Sequence, residues 1–240
     1  MSIISEYKFY VSETEQIWKE YKDKYGDSFS TDGILNPHVY FESGKLKIMF
    51  ILMENYNKGS WNIIDKIENN KTMCQHPDNG SKCFAPNILR TLFYVRDNKW
   101  VDFFPSKIVS GTGFAYLNLK KHDEGKNKTD YNDLTKNSRD DKVLLKRQII
   151  ACCPDIVFCS AAGNYERFLK VMEVKETDIQ DINDKSHIIK YLVGNKEKKL
   201  LAVQWFHPSH NTAGWSKKAY KSYLDELRKG DKLKAYSRIV

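Results

Sequence analysis

The run Leu46 to Met53 is almost continuously apolar, too short for an ordinary helix, and closed by the polar cluster Glu54-Asn55-Tyr56-Asn57. A run without polar alternation reads as a strand covered on both faces, the situation of a parallel sheet held between helices. The pattern recurs over Gly113–Leu119, Asp155–Cys159 and Leu200–Phe206.

Helical spacing fills the intervals. Ser12 to Tyr25 carries Ile17, Trp18, Tyr21 and Tyr25, with Ser12 as a cap and Gly26 as a stop. A second helix starts near Asn87 behind Pro86, and others span Val143–Cys152 and Asn164–Met172. The last contains Tyr220, Tyr223, Leu224 and Leu227. Strands alternating with helices define an α/β chain with a parallel sheet. The stretch 123–141 is charged, rich in Lys, Asn and Asp, and is expected to be a mobile insertion. No internal repeat interrupts the pattern.

With 240 residues and 41% hydrophobic content, the chain suffices for one sizeable core, so a single domain over 1–240 is expected. No apolar run reaches the roughly 18 residues of a membrane span, and the N-terminus lacks a secretory layout. Five cysteines, an odd number without repeated spacing, suit reduced thiols. These features point to a cytoplasmic protein without a membrane partner. The formal charge of +8 favours encounter with a polyanion.

In an open parallel sheet, ligands bind beyond the carboxyl ends of the strands. Three strands end there in polar groups: Glu54-Asn55-Tyr56-Asn57, Asn118, and His207-Pro208-Ser209. No Gly-rich phosphate loop precedes a helix, so phosphoryl transfer is disfavoured. A carboxamide both donates and accepts, which matches one edge of a pyrimidine.

Lys47-Ile48-Met49-Phe50-Ile51-Leu52-Met53-Glu54-Asn55-Tyr56 resembles the first motif of the uracil-DNA glycosylase superfamily, a buried strand ending in a water-positioning Asp or Asn. Phe84-Ala85-Pro86-Asn87-Ile88-Leu89-Arg90 resembles the family's aromatic and Pro-containing loop. Tyr116-Leu117-Asn118-Leu119-Lys120 resembles the strand whose Asn reads uracil. Pro154-Asp155-Ile156-Val157-Phe158 with Ala161-Ala162-Gly163 is similar to a structural strand before a helix, and Val203 to Ser209 is similar to the His-Pro-Ser strand end. The motifs occur in the family's order over most of the chain.

The resemblance implies a three-layer sandwich with a central, mainly parallel sheet and hydrolysis of an N-glycosidic bond in DNA, single-stranded or duplex, by a monomer without a cofactor. Asn55 and His207 take the catalytic positions. Asn118, Phe84, Glu54 and Tyr56 surround the base, and Pro86, Ser209, Lys120 and Lys121 face the DNA backbone. Met53 stands where the family usually has Gly, and Tyr56 where it has Pro. Asn55 matches the thymine- and mismatch-specific branch rather than the Asp of many members. His210-Asn211-Thr212 lacks the large apolar wedge that many members push into the duplex. Two alternatives stay open: a nucleic-acid or nucleotide-binding protein on the same fold without catalysis, and a glycosidase acting on free nucleosides.

No metal is expected. Cys74, His76 and Cys83 offer three candidate ligands without paired Cys-x-x-C spacing, and the four-cysteine layout of the family's iron-sulfur members is not reproduced.

Overall fold

The structure, a computed structural model, describes residues 3–42, 46–53, 84–99, 111–122, 129–160, 163–175, 177, 179–183, 186–205, 222 and 224–225. The first helix, α1 (Ile3–Tyr25), buries Glu6, Tyr10, Thr14, Ile17 and Tyr21 at spacings of three and four. Because the inward stripe continues upstream of Ser12 through Tyr10 and Glu6, the helix starts well before the expected cap. Gly26, at φ 57°, follows its last turn in the left-handed conformation that glycine adopts at least cost.

The chain then forms β1 (Gly33–Leu35), α2 (Pro37–Glu42), β2 (Ile48–Leu52), α3 (Phe84–Asp97) and β3 (Phe114–Asn118). It continues through α4 (Tyr131–Asp140), α5 (Lys142–Cys152), β4 (Ile156–Ser160), α6 (Asn164–Met172), β5 (Ile179–Asn183), β6 (Ser186–Val193) and β7 (Lys196–Trp205). Among the described residues, seven strands form one sheet in the order β1-β3-β2-β4-β7-β6-β5.

β3, β2, β4 and β7 run parallel, whereas β1 flanks them antiparallel on one side and the β6–β5 pair does so on the other. The sheet is therefore mixed, with three parallel and three antiparallel pairings, which corrects the expectation of a mainly parallel one. A two-residue loop explains much of the difference. Gly194, at φ 58°, sits first of the two residues between the paired Val193 and Lys196 and closes a hairpin that needs no crossover helix.

Alternate residues of the parallel strands enter two cores. Met49, Ile51, Ala115, Leu117, Val157 and Cys159 pack with Tyr10, Phe41, Leu145, Ile149 and Phe168 from α1, α2, α5 and α6. Phe50, Leu52, Tyr116, Phe158, Val203 and Trp205 pack with Ile88, Leu89 and Leu92 from α3 and with Leu224. Helices thus lie on both sides, and all five residues of β2, β3 and β4 are buried, as their unbroken apolar runs require. Phe50 stacks on Phe158 at 5.5 Å and lies 5.2 Å from the Trp205 ring. Full burial of such a side chain stabilises by roughly 1.5–3 kcal/mol.

Glu6 of α1 holds two strand beginnings at once, accepting from Lys47 Nζ at 2.7 Å and from Lys198 Nζ. The two ammonium groups pull its carboxyl below the usual glutamate value, although burial, the largest influence, acts in the opposite direction.

Part of the expected mobile insertion is ordered. The Asp130 side chain accepts from the Asn132 N–H at 2.9 Å and the Asp133 N–H at 3.2 Å, capping α4. Leu134 is fully buried, and Arg167 donates to Thr135 Oγ1 at 2.9 Å. Docking and capping replace the apolar stripe that this helix lacks. Asp130→Ala is expected to cost about 1 kcal/mol, read as a lower denaturation midpoint at unchanged slope. Residues 123–128 lie outside the described residues. Among those described, no helix is long and apolar enough to cross a membrane.

Candidate functional site at the carboxyl edge of the sheet

The parallel strands finish on one edge. Leu52 of β2 is in register with Asn118 of β3, and Ser160 of β4 with Trp205 of β7. The ladder continues past the strands. The Leu119 N–H donates to the Leu52 carbonyl at 3.2 Å, and the Lys120 N–H donates to the Met53 carbonyl at 3.0 Å. Asn118 is therefore fixed beside the segment that leads two residues later to Asn55.

Asn118 is 5% exposed, and strand alternation puts it on the same face as Phe114 and Tyr116. Its carboxamide makes no hydrogen bond to any described residue, although its backbone is held firmly. The Asn118 N–H donates to Asp32 Oδ2 at 2.6 Å. That carboxylate, from the residue before β1, also accepts from Lys121 Nζ at 2.5 and 2.6 Å and from Gln148 Nε2 at 2.7 Å.

Asp32, Lys121 and Gln148 are each 1% exposed, which makes this a desolvated ion pair. Burial pushes the Lys121 ammonium below the usual lysine value, with Asp32 acting in the opposite direction. The Tyr21 ring lies 5.7 Å from Lys121 Nζ. Lys120 is 2% exposed and reaches Asp133 at 2.5 Å, joining the end of β3 to α4.

Two expectations change accordingly. Lys120 and Lys121 are internal ion-pair partners of Asp133 and Asp32, not surface cations positioned along a phosphate backbone. The sequence showed two lysines after an apolar strand, but carried no mark of the carboxylates that would draw them inward.

Asn118 stands at the expected sheet edge. Phe84 and Pro86 fall in the first turn of α3, which covers the Asn118 face, and only their backbone is described. Glu54, Asn55, Tyr56, His207 and Ser209 lie outside the described residues, as do Cys74, His76 and Cys83. Among the described residues, no three His, Cys, Asp or Glu side chains cluster as metal ligands.

Sequence reasoning missed Asp32 and Gln148. Asp32-Gly33 reads locally as a turn, and nothing near Gln148 marks it apart from other helix-face amides.

The fold and this edge define an α/β protein whose four parallel strands end together beside a rigid, asparagine-bearing strand terminus. No protein-family model matches the chain, and no curated protein matches it.

Proposed function

We propose that the chain is a DNA glycosylase of the uracil-DNA glycosylase type, releasing uracil or a related base from an extruded or single-stranded nucleotide. One observation carries this reading: β2, β3 and β7 are parallel members of one sheet and leave it at the same edge. Asn118 ends β3, Asn55 follows Leu52 by three residues, and His207 follows Trp205 by two. Motifs far apart in sequence thus start from one edge, where ligands of open α/β sheets bind.

The chemistry follows from that set. Asn118 pairs with the base edge, donating and accepting through its carboxamide. As the glycosidic bond breaks, its electron pair leaves with the base, and His207 donates a hydrogen bond to the base oxygen that gains negative charge. Asn55 orients the water whose oxygen bonds to the sugar carbon, and that water's proton ends on the base or in solvent. Phe84 stacks on the ring, with Glu54 and Tyr56 beside it. Pro86 and Ser209 contact the backbone. No cofactor enters the reaction.

The burial of Lys120 and Lys121 favours a second reading, a glycosidase for free nucleosides, which needs little basic surface at the site. Base release from oligonucleotides containing deoxyuridine, hypoxanthine or a mismatch separates the two. The DNA reading expects release from at least one strand, weak competition by free nucleosides, and affinity that falls steeply with salt as counterions are displaced. Strong nucleoside competition with a flat salt response supports the second reading. Tight DNA binding without release leaves a binding protein on the same fold.

A further inference from the structure

We propose that Asp32 is a positioning residue for Asn118: its buried carboxylate, neutralised by Lys121, fixes the end of β3 so that the Asn118 carboxamide meets a base in one orientation. The inference rests on Asn118 being the base-reading group.

The backbone geometry sets the need. The β1–β3 ladder pairs Gly33 with Tyr116, and the Asn118 N–H falls beyond that last pairing on the β1 side. Asp32 supplies the acceptor that a longer strand would have supplied, at 2.6 Å. On the β2 side, Leu119 and Lys120 donate to the Leu52 and Met53 carbonyls, while on the β1 side the Ser30 N–H donates to the Lys121 carbonyl at 2.8 Å. Residues 118–121 are thereby clamped from both flanks.

A neutral acceptor would satisfy one amide without desolvating a charge. Here a carboxylate and an ammonium are both removed from water, an arrangement that apolar residues often match or better for stability alone. A charge-assisted bond is shorter and stiffer than a neutral one. The rigidity is delivered to a residue whose side chain is uncommitted among the described residues, and a recognition group needs that support from behind.

Two double variants test the idea. Asp32→Leu with Lys121→Met removes the acceptor without stranding a charge, while Asp32→Asn with Lys121→Met keeps an oxygen at that place. In wild type the Asn118 amide proton should resonate far downfield, the signature of a short bond to a carboxylate. The Leu variant should lose that shift, fold but melt below wild type because the Asn118 N–H and Gln148 Nε2 keep no acceptor, and discriminate uracil from the next-best base about tenfold to a hundredfold less well, the scale of a misplaced contact group. The Asn variant should restore most of the discrimination.

An ordinary amide shift in wild type overturns the proposal, and decides it even if the Leu variant does not fold. Full discrimination in a folded Leu variant also overturns it and leaves the glycosylase reading standing. Wild-type protein that releases no base overturns that reading and removes this proposal with it.

Discussion

Asp32→Ala should lower folding stability by about 3–5 kcal/mol, because it strands the Lys121 ammonium in a fully buried position. The Asn118 N–H and Gln148 Nε2 lose their acceptor as well, which acts in the same direction. Chemical denaturation should show a much lower midpoint at unchanged slope. Pairing Asp32→Leu with Lys121→Met should recover most of the loss, since no charge remains to be buried. A double-mutant cycle separates this from a cavity effect, because the two changes couple strongly only if the charges interact. An Asp32→Ala protein as stable as wild type would refute a desolvated pair.

Loss of the His207 imidazole carries the largest effect on chemistry. His207→Ala is expected to reduce base release by roughly 10² to 10³, typical of losing one preorganised donor, with DNA affinity and melting temperature nearly unchanged. A histidine that merely supports the fold would move stability instead. Asn118→Ala should act differently and weaken discrimination among bases, since its carboxamide reads the edge rather than holding the developing charge alone. Unchanged release by His207→Ala, from a wild type that is active, would remove His207 from the mechanism.

Strands buried on both faces and a helix with a periodic apolar stripe were legible in the sequence. Asn164–Met172 begins and ends where helical spacing puts it, and β2 and β3 lie inside the apolar runs 46–53 and 113–119. Burial writes itself into such segments residue by residue. β1 is three residues long, too short for any period to register. α4 is held by the Asp130 cap and by contacts from Arg167, neither of which leaves an apolar stripe. The β6–β7 hairpin does carry a local signal, Gly194-Asn195 after the alternating Ile189, Tyr191 and Val193.

At the site, a polar residue closing an apolar strand marked Asn118. The ion pair behind it was invisible, because Asp32 meets Lys121 across 89 positions and Gln148 across 116, and local pattern holds no record of such distant pairing.

The Glu6 bridge bears on how the molecule is made. Its two partners are 41 and 192 positions downstream, so the carboxylate can gather both only after β7 has left the ribosome. At about 5–20 residues per second, that interval is on the order of ten seconds to more than half a minute. During it, the nascent chain must carry α1 without its final anchor, and over the last part of it β4 without the neighbour that seals its flank. Loops this long close slowly, and the waiting strand edge can pair with the wrong chain. Biogenesis of this protein therefore depends on β7 arriving before such an encounter does.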